Sequence, residues 1–457
     1  FLNNCLTMSG KRLLKEAFVN PTTDIDYLNK EYIITDKILK NYGIADTITP
    51  YLKKVRDVNY ILRKLMMDKG CPNDLYKLYS SLNQLKKILN NENVLNILKD
   101  YLDDKFESIL NKRDKLEEIL NNINKMVNIE ECSILTITVE DLNIIKKGYN
   151  YNYDSLMYEF NGNNELFQNT IITINDFIKK HTTKSDNYVK EHIKPKEPSE
   201  IHITETRKKA FISALNFIGH DTAKIRIYYN DRKESVLLDL STIEFKKSTK
   251  TNYSVYNQII DNAANKVNDL RHKILGEVKQ IFSNILSKVC DTYFDDIYQL
   301  SNILGTIDLL ICKAHNSKKY NYCRPTIKKE KKSYFAVKDL RHPLIEQIND
   351  NEKYVTNDLS LGKEKNGLLL FGTNAVGKTS SIRAIGMIMI MAQAGMYVPA
   401  SELIFSPYSK IYSRILGNDN LFKNMSTYQV ELSELRPIIH YSDKNSLVLG
   451  DELCSGT

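Results

Sequence analysis

The residues best suited to chemistry stand together at 367–379, Gly-Leu-Leu-Leu-Phe-Gly-Thr-Asn-Ala-Val-Gly-Lys-Thr. From Gly372 onward this fits G-x-x-x-x-G-K-[ST], and apolar runs at 368–371 and 382–394 predict a buried strand before the loop and a helix after it. Each residue type then has a task. Gly372 and Gly377 let the backbone turn its N–H groups toward a triphosphate across Thr373, Asn374, Ala375 and Val376, Lys378 offers a point charge to the β/γ-phosphates, and Thr379 offers a hydroxyl to Mg²⁺. The ligand expected is ATP or GTP with Mg²⁺, against the plainer alternative of a glycine-containing turn.

Such a loop needs a second acidic element. Ser446-Leu447-Val448-Leu449-Gly450-Asp451-Glu452 supplies an apolar strand that ends in two carboxylates. Asp451 is placed to join the Mg²⁺ shell, and Glu452, beside it and free of the metal, to act as general base toward a water attacking the γ-phosphate. An Asp-Glu pair alone is usually a surface turn. Here the preceding strand and the upstream loop favour the catalytic reading.

The elements that position these groups are mostly helical. Up to about residue 145 the apolar spacing is helical, with a start at Thr23-Asp24 and a run through Leu75, Leu78, Leu82, Leu85 and Leu89 that Asn73 or Asp74 can cap. A second run carries Leu95, Leu98, Leu102, Phe106 and Ile109. Residues 149–251 change character, with Asn-rich and Pro-containing pieces and alternating runs at Ile201-His202-Ile203-Thr204 and Ile225-Arg226-Ile227-Tyr228-Tyr229, which predict a small mixed module with several strands. A helix is then expected over 256–298, about 60 Å long. The mixed module therefore sits between two helical arms. Tyr334 to Val337 reads as a strand that opens a new domain, and His342, in Arg341-His342-Pro343, reads as a structural histidine.

The chain has 457 residues, enough for about three domains. Lys and Arg number 64 against 56 Asp and Glu, a formal net charge of +8 that favours anionic partners, nucleic acid among them. Basic clusters at Arg207-Lys208-Lys209 and at Lys246, Lys247 and Lys250 are candidate DNA contacts; a solvated face is the alternative. The seven cysteines form no C-x-x-C pair and are expected to be reduced thiols in a reducing compartment, with no structural zinc. No apolar run is long enough to span a membrane, so a soluble, intracellular chain is expected.

Taken together, the loop, Ala392-Gln393-Ala394-Gly395 leading to Tyr397-Val398-Pro399-Ala400, Ser426-Thr427 with Val430-Glu431, and Asp451-Glu452 with Ser455-Gly456-Thr457 resemble the MutS family of DNA mismatch-repair ATPases. Gly10-Lys11-Arg12-Leu13-Leu14, Asn20-Pro21, Arg56-Asp57 and Arg341-His342-Pro343 extend the resemblance over nearly the whole chain. It implies a multidomain chain with an all-α core and long lever helices, a small α+β clamp, and an α/β P-loop ATPase domain of the ABC type. The division implied is 1–148 helical core and first lever, 149–251 clamp with lever connection, 252–330 returning lever and core helices, and 331–457 ATPase domain. It also implies that Asn374 contacts the γ-phosphate, that Tyr354 stacks on adenine, and that Ser426 and Thr427 reach the nucleotide of a dimer partner. The partners implied are double-stranded DNA, a second identical or related protomer, and downstream repair proteins, with ATP/ADP and Mg²⁺ as cofactors.

This chain departs from the family in places. Thr373, Ala375 and Val376 stand where Pro, Met and Gly are usual, Asn424 where Gly is common, and Gly450 and Cys454 also differ. The loop and the Cys-Ser-Gly-Thr ending look more like the divergent branch of giant viruses and octocoral mitochondria, which makes a viral or organellar origin an expectation. The resemblance further implies a piece that begins at the levers, after a mismatch-reading domain, and stops before the ATPase is complete, so weak hydrolysis is expected of it alone. Three other readings stand beside a mismatch-repair clamp: a relative acting on junctions or in recombination, a structural DNA-tethering ATPase of the SMC type, and a helical scaffold with a dead nucleotide site. The long helices precede the phosphate loop, which argues against the SMC type.

Overall fold

The computed structural model describes residues 1–138, 140–181, 188–193, 197–219, 223–249, 251–348, 354–373, 376–415, 427–451 and 453, the first five residues of the 427–451 segment by backbone alone. The chain opens with short helices, α1 (Met8–Val19), α2 (Ile25–Lys40), α3 (Gly43–Leu52) and α4 (Val58–Met66). Their starts follow local chemistry: Thr7 Oγ1 accepts the Gly10 N–H at 3.0 Å, and Asp24 Oδ1 accepts from Asp26 and Tyr27. The next helix, α5 (Pro72–Leu89), begins two or three residues earlier than a cap at Asn73 or Asp74 implies. Proline is preorganised for the first turn, and Asp74, two residues in, reaches back to the Cys71 N–H at 3.0 Å instead of capping from outside.

The run from Leu95 to Ile109 is two helices, α6 (Glu92–Leu102) and α7 (Phe106–Met126), because Asp103 turns left-handed with φ 46°. A larger difference follows at α8 (Tyr151–Lys180), 30 residues of helix where the sequence reading had only polar sequence with strands. Leu166, Phe167, Ile171, Ile174, Phe177 and Ile178 do step by three and four. The asparagines and Gly162 around them diluted that signal.

Then come β1 (Val189–His192), β2 (Glu200–Thr204), α9 (Glu205–Ile218), β3 (Lys224–Tyr229), β4 (Glu234–Asp239), β5 (Glu244–Lys247) and β6 (Asn252–Tyr256). They form an antiparallel sheet in the order β1-β2-β6-β5 and a β3-β4 hairpin. The next helix, α10 (Gln258–Lys319), runs 62 residues, about 90 Å, rather than ending near Tyr298. Leu300, Leu304, Ile307 and Leu310 continue the apolar stripe, and no proline interrupts it.

The remainder is mixed: β7 (Thr326–Ile327), β8 (Tyr334–Leu340), α11 (Ile345–Ile348), β9 (Asn357–Leu361), α12 (Lys378–Gln393), β10 (Glu402–Ser406), β11 (Lys410–Arg414), α13 (Thr427–Tyr441) and β12 (Ser446–Gly450). One sheet runs β7-β10-β8-β9, and β11 pairs in parallel with β12, Lys410 opposite Ser446. The strand expected at 368–371 is not formed: Leu369 is 85% and Phe371 90% exposed. A strand exists only where a neighbour completes its ladder, and among the described residues β11 and β12 bond to each other alone.

The chain divides into two compact units, one of Phe1–Arg63, Lys77–Leu120 and Tyr293–Thr457, the other of Lys64–Tyr76 and Asn121–Thr292. In the first, α12 is apolar and largely buried from Ala384 onward: Ala384, Ile388, Met389 and Ala392 share a core with Leu28, Tyr32, Leu403, Phe405, Leu447 and Leu449. In the second, α8, the antiparallel sheet and the start of α10 enclose Phe177, Ile201, Phe211, Val255 and Ile260. The fold is helix-rich and multidomain with small sheets.

Candidate functional site

The site expected at the phosphate loop is assembled from three elements of the first unit. Gly377 is the N-cap of α12 in left-handed geometry (φ 93°), and no side chain caps the helix there. The first-turn N–H groups and the positive end of the helix dipole are therefore available to an anion. Lys378 Nζ donates to the carbonyl oxygens of Gly372 and Thr373, both at 2.7 Å, which holds the ammonium over the loop.

Thr379 Oγ1 donates to Asp451 Oδ2 at 2.7 Å, although the two lie 72 residues apart. Asp451 continues the β12 ladder, its N–H bonded to Arg414 O at 2.8 Å, so its carboxylate leaves the end of the strand at a defined place. The helix approaches β12 closely at Gly386, where a Cβ would stand 2.8 Å from Leu449 Cδ1. That glycine was missed in the sequence; its signal was its position inside the apolar run that follows the loop. A hydroxyl and a carboxylate are hard oxygen donors of the kind Mg²⁺ takes.

Tyr354 is half-buried; burial raises its phenol, and a hydrogen bond from the His342 backbone opposes that rise. His342 itself is buried, and its Nδ1 accepts from the N–H groups of Leu344 (3.2 Å) and Ile345 (3.3 Å). Burial, with the nearby Arg383 charge of α12, lowers its pKa, so the ring is neutral and structural, as its type suggested. Asn374, Ala375, Ser426, Glu452 and Lys250 lie outside the described residues, and of Thr427 the backbone alone, opening α13, is described.

In the second unit the two basic clusters converge. Lys208 of α9 lies with Nζ 4.1 Å from the Tyr253 ring centroid and 5.5 Å from that of Phe245, and Lys246 lies 4.3 Å from that of Tyr256. Glu205 is lowered by a hydrogen bond from Tyr253 and by the charges of Lys208, Lys209 and Lys247. Arg207 stands on the same helix, α9. The tyrosines of β6 went unread in the sequence; aromatic residues three apart beside a basic strand were the available sign.

Elsewhere in the first unit, Arg12 and Asp57 form a two-pronged pair at 2.9 and 3.0 Å. Among the described residues Cys5, Cys71, Cys132, Cys290, Cys312 and Cys323 are free thiols, no cluster of His, Cys, Asp and Glu is arranged to hold a metal, and no helix is long and apolar enough to cross a membrane.

Comparison with known proteins places these features in a family. Residues 1–314 match the family model described as MutS domain III, and residues 368–457 match MutS domain V. A DNA mismatch repair protein mutS homolog of Acanthamoeba polyphaga mimivirus is 25% identical over all of this chain and 43% of its own length. The mitochondrial DNA mismatch repair protein mutS homolog of Sarcophyton glaucum is 32% identical over 53% of this chain and 27% of its own, and the DNA mismatch repair protein MutS of Caldanaerobacter subterraneus subsp. tengcongensis 26% over all of this chain and 47% of its own. The chain thus spans about half the length or less of these curated relatives. With more than half of its 457 residues inside one family model, the chain belongs to the MutS family of DNA mismatch-repair proteins.

Proposed function

We propose that this chain is the ATP-binding, DNA-clamping part of a MutS-type mismatch-repair protein, and that it acts on mispaired or damaged DNA. The observation that carries the reading is the meeting of Lys378, Thr379 and Asp451 at the uncapped N-terminus of α12. Gly372, Thr373, Asn374, Ala375, Val376, Gly377 and Lys378 hold the phosphates, Tyr354 the adenine, and Thr379 with Asp451 the Mg²⁺. Bound Mg²⁺ neutralises charge on the β- and γ-phosphates. Glu452 accepts the proton of the attacking water, and Ser426 and Thr427 serve the nucleotide of a second protomer.

The domain division is 1–148 helical core and first lever, 149–251 clamp, 252–330 returning lever and 331–457 P-loop ATPase. Arg207, Lys208, Lys209, Lys246, Lys247 and Lys250 hold the backbone of double-stranded DNA, and downstream repair proteins are the further partners. The chain acts inside the cell, in the compartment that holds its DNA.

Titration with ATP·Mg²⁺ tests the reading. The chain is expected to bind nucleotide, and Lys378→Ala to weaken binding by roughly 10- to 150-fold, since a hydrogen bond to a charged group contributes about 1.5–3 kcal/mol. Binding unchanged in Lys378→Ala would remove the loop from the site. For DNA, replacing Lys246, Lys247 and Lys250 together by Ser is expected to reduce the slope of log K against log salt by about 3. An unchanged slope would return these lysines to a solvated face.

A further inference from the structure

The segment Ala392-Gln393-Ala394-Gly395, which the resemblance marks and the nucleotide site leaves without a task, ends α12. Here the helix closes with paired bonds, Gly395 N to Ala392 O at 2.9 Å and Met396 N to Met391 O at 3.0 Å, with Gly395 at φ 71°. Two side chains then take the outermost carbonyls. Tyr32 of α2 donates its hydroxyl to Ala392 O at 2.6 Å, and Lys313 of α10 donates Nζ to Ala394 O at 2.9 Å. The same ammonium bonds Glu31 Oε2 of α2 at 2.7 Å, and Tyr101 donates to Glu31 Oε1 at 2.6 Å. Both charged side chains are 0% exposed.

A buried ion pair is a weak source of stability, because desolvation of two charges offsets most of their attraction. Its better-attested use is to fix one arrangement of elements against another. Here it holds a cation against the negative end of the helix whose positive end is the phosphate loop. Gly395 leaves room for it: a Cβ there would stand 2.9 Å from Glu31 Cβ and 3.1 Å from Lys313 Nζ.

We infer that Glu31 and Lys313 are a positioning pair that couples the nucleotide site to α10. The inference rests on the nucleotide reading above. Contact of a nucleotide with Lys378 and Thr379 shifts α12 as one rod of 16 residues, about 24 Å, and the far end hands the shift to α10 through Ala394 O and Lys313. Neither residue touches nucleotide. They set where α12 stands.

Hydrogen exchange with and without ATP·Mg²⁺ tests this, on the wild-type chain and on the double variant E31M/K313M, in which two apolar side chains of similar reach replace the pair. In the wild type, nucleotide is expected to slow exchange roughly threefold or more both at residues 376–386 and at 308–319 of α10. In the double variant the first effect stays and the second disappears. Tyr101→Phe, which removes one bond from Glu31 and buries no new charge, is the milder companion and is expected to weaken the second effect alone. Slowing at 308–319 that survives in the double variant, or that is undiminished in Tyr101→Phe should the double variant not fold, would overturn the coupling. So would a wild type that responds at 376–386 and not at 308–319. A wild type that binds no nucleotide by calorimetry and responds at neither place would overturn the nucleotide reading, and the coupling with it.

Discussion

At its N-terminal end α12 starts beside Val376, 61% exposed, and is held there, among the described residues, by few side-chain bonds, those of Lys378, Thr379 and Ser381. At its C-terminal end the same helix finishes among Tyr32, Glu31 and Lys313, and Gln393 bonds Thr22 O at 3.1 Å and Tyr408 O at 2.9 Å. One end is held by many partners and the other by few. A binding loop drawn from the low-stability end of a structure can rearrange around a ligand, and a packed end converts that rearrangement into displacement instead of absorbing it. Asymmetry along a single helix is thus a physical basis for transmission.

The contrast is sharpest between two phenylalanines. Phe405 lies fully buried in the core beside α12, and Phe405→Ala is expected to cost about 3–5 kcal/mol by urea unfolding. Phe371, before the loop, is expected to change stability by about 0.5 kcal/mol or less when made Ala, because it packs on little. A large loss at Phe371 would mean that the open end is packed after all. Next in size is Gly386→Val, which forces α12 away from Leu449; overpacking of this kind costs about 1–3 kcal/mol and should weaken the Mg²⁺ dependence of nucleotide binding by parting Thr379 from Asp451. Unchanged Mg²⁺ dependence in a destabilised variant would separate packing from the site.

Tyr32→Phe removes one buried hydroxyl bond at the held end and is expected to cost about 1 kcal/mol, with nucleotide affinity little changed. The smallest effect is on acid stability. Burial raises the Asp57 carboxyl, but bonds from Arg12 and the Tyr60 N–H, with the Arg12 and Arg63 charges, lower it further, so its net pKa falls below the usual value. A depressed folded pKa contributes stability above the unfolded value of about 3.9, lost as pH drops through the folded value. Asp57→Asn should therefore narrow the stability difference between pH 5 and pH 3, measured by denaturant titration. A difference as wide as the wild type's would show that the Arg12 pair contributes nothing.

Much of this was legible in the residues. A helix does start after Thr23-Asp24, Ser446-Leu447-Val448-Leu449 formed a strand, and the run after the loop formed α12. What failed did so for identifiable reasons. The strand at 368–371 had the right residues, but pairing is a property of neighbours, which periodicity does not report. The helix α8 hid under asparagine, and α10 outran its expected end because an apolar stripe has no stop signal until Asn321 turns left-handed (φ 51°). The Lys313–Glu31 pair was invisible for a different reason: 282 residues separate its partners, and each alone reads as a surface charge.

The two units are nested in the chain, one contiguous over most of its length and the other gathered from three pieces. Thr7 is bound through both its N–H and its hydroxyl to Asp308, 301 residues later. On a ribosome adding about 5–20 residues per second, α1 waits roughly 15–60 seconds for that carboxylate. Residues 121–292 have all emerged by then, so the inserted unit completes itself while its host is still in pieces. Until Asp308 arrives, the N-terminus of α1 lacks the carboxylate that ties Leu6 and Thr7, so this end of the first unit is the last part of its opening helices to be fixed.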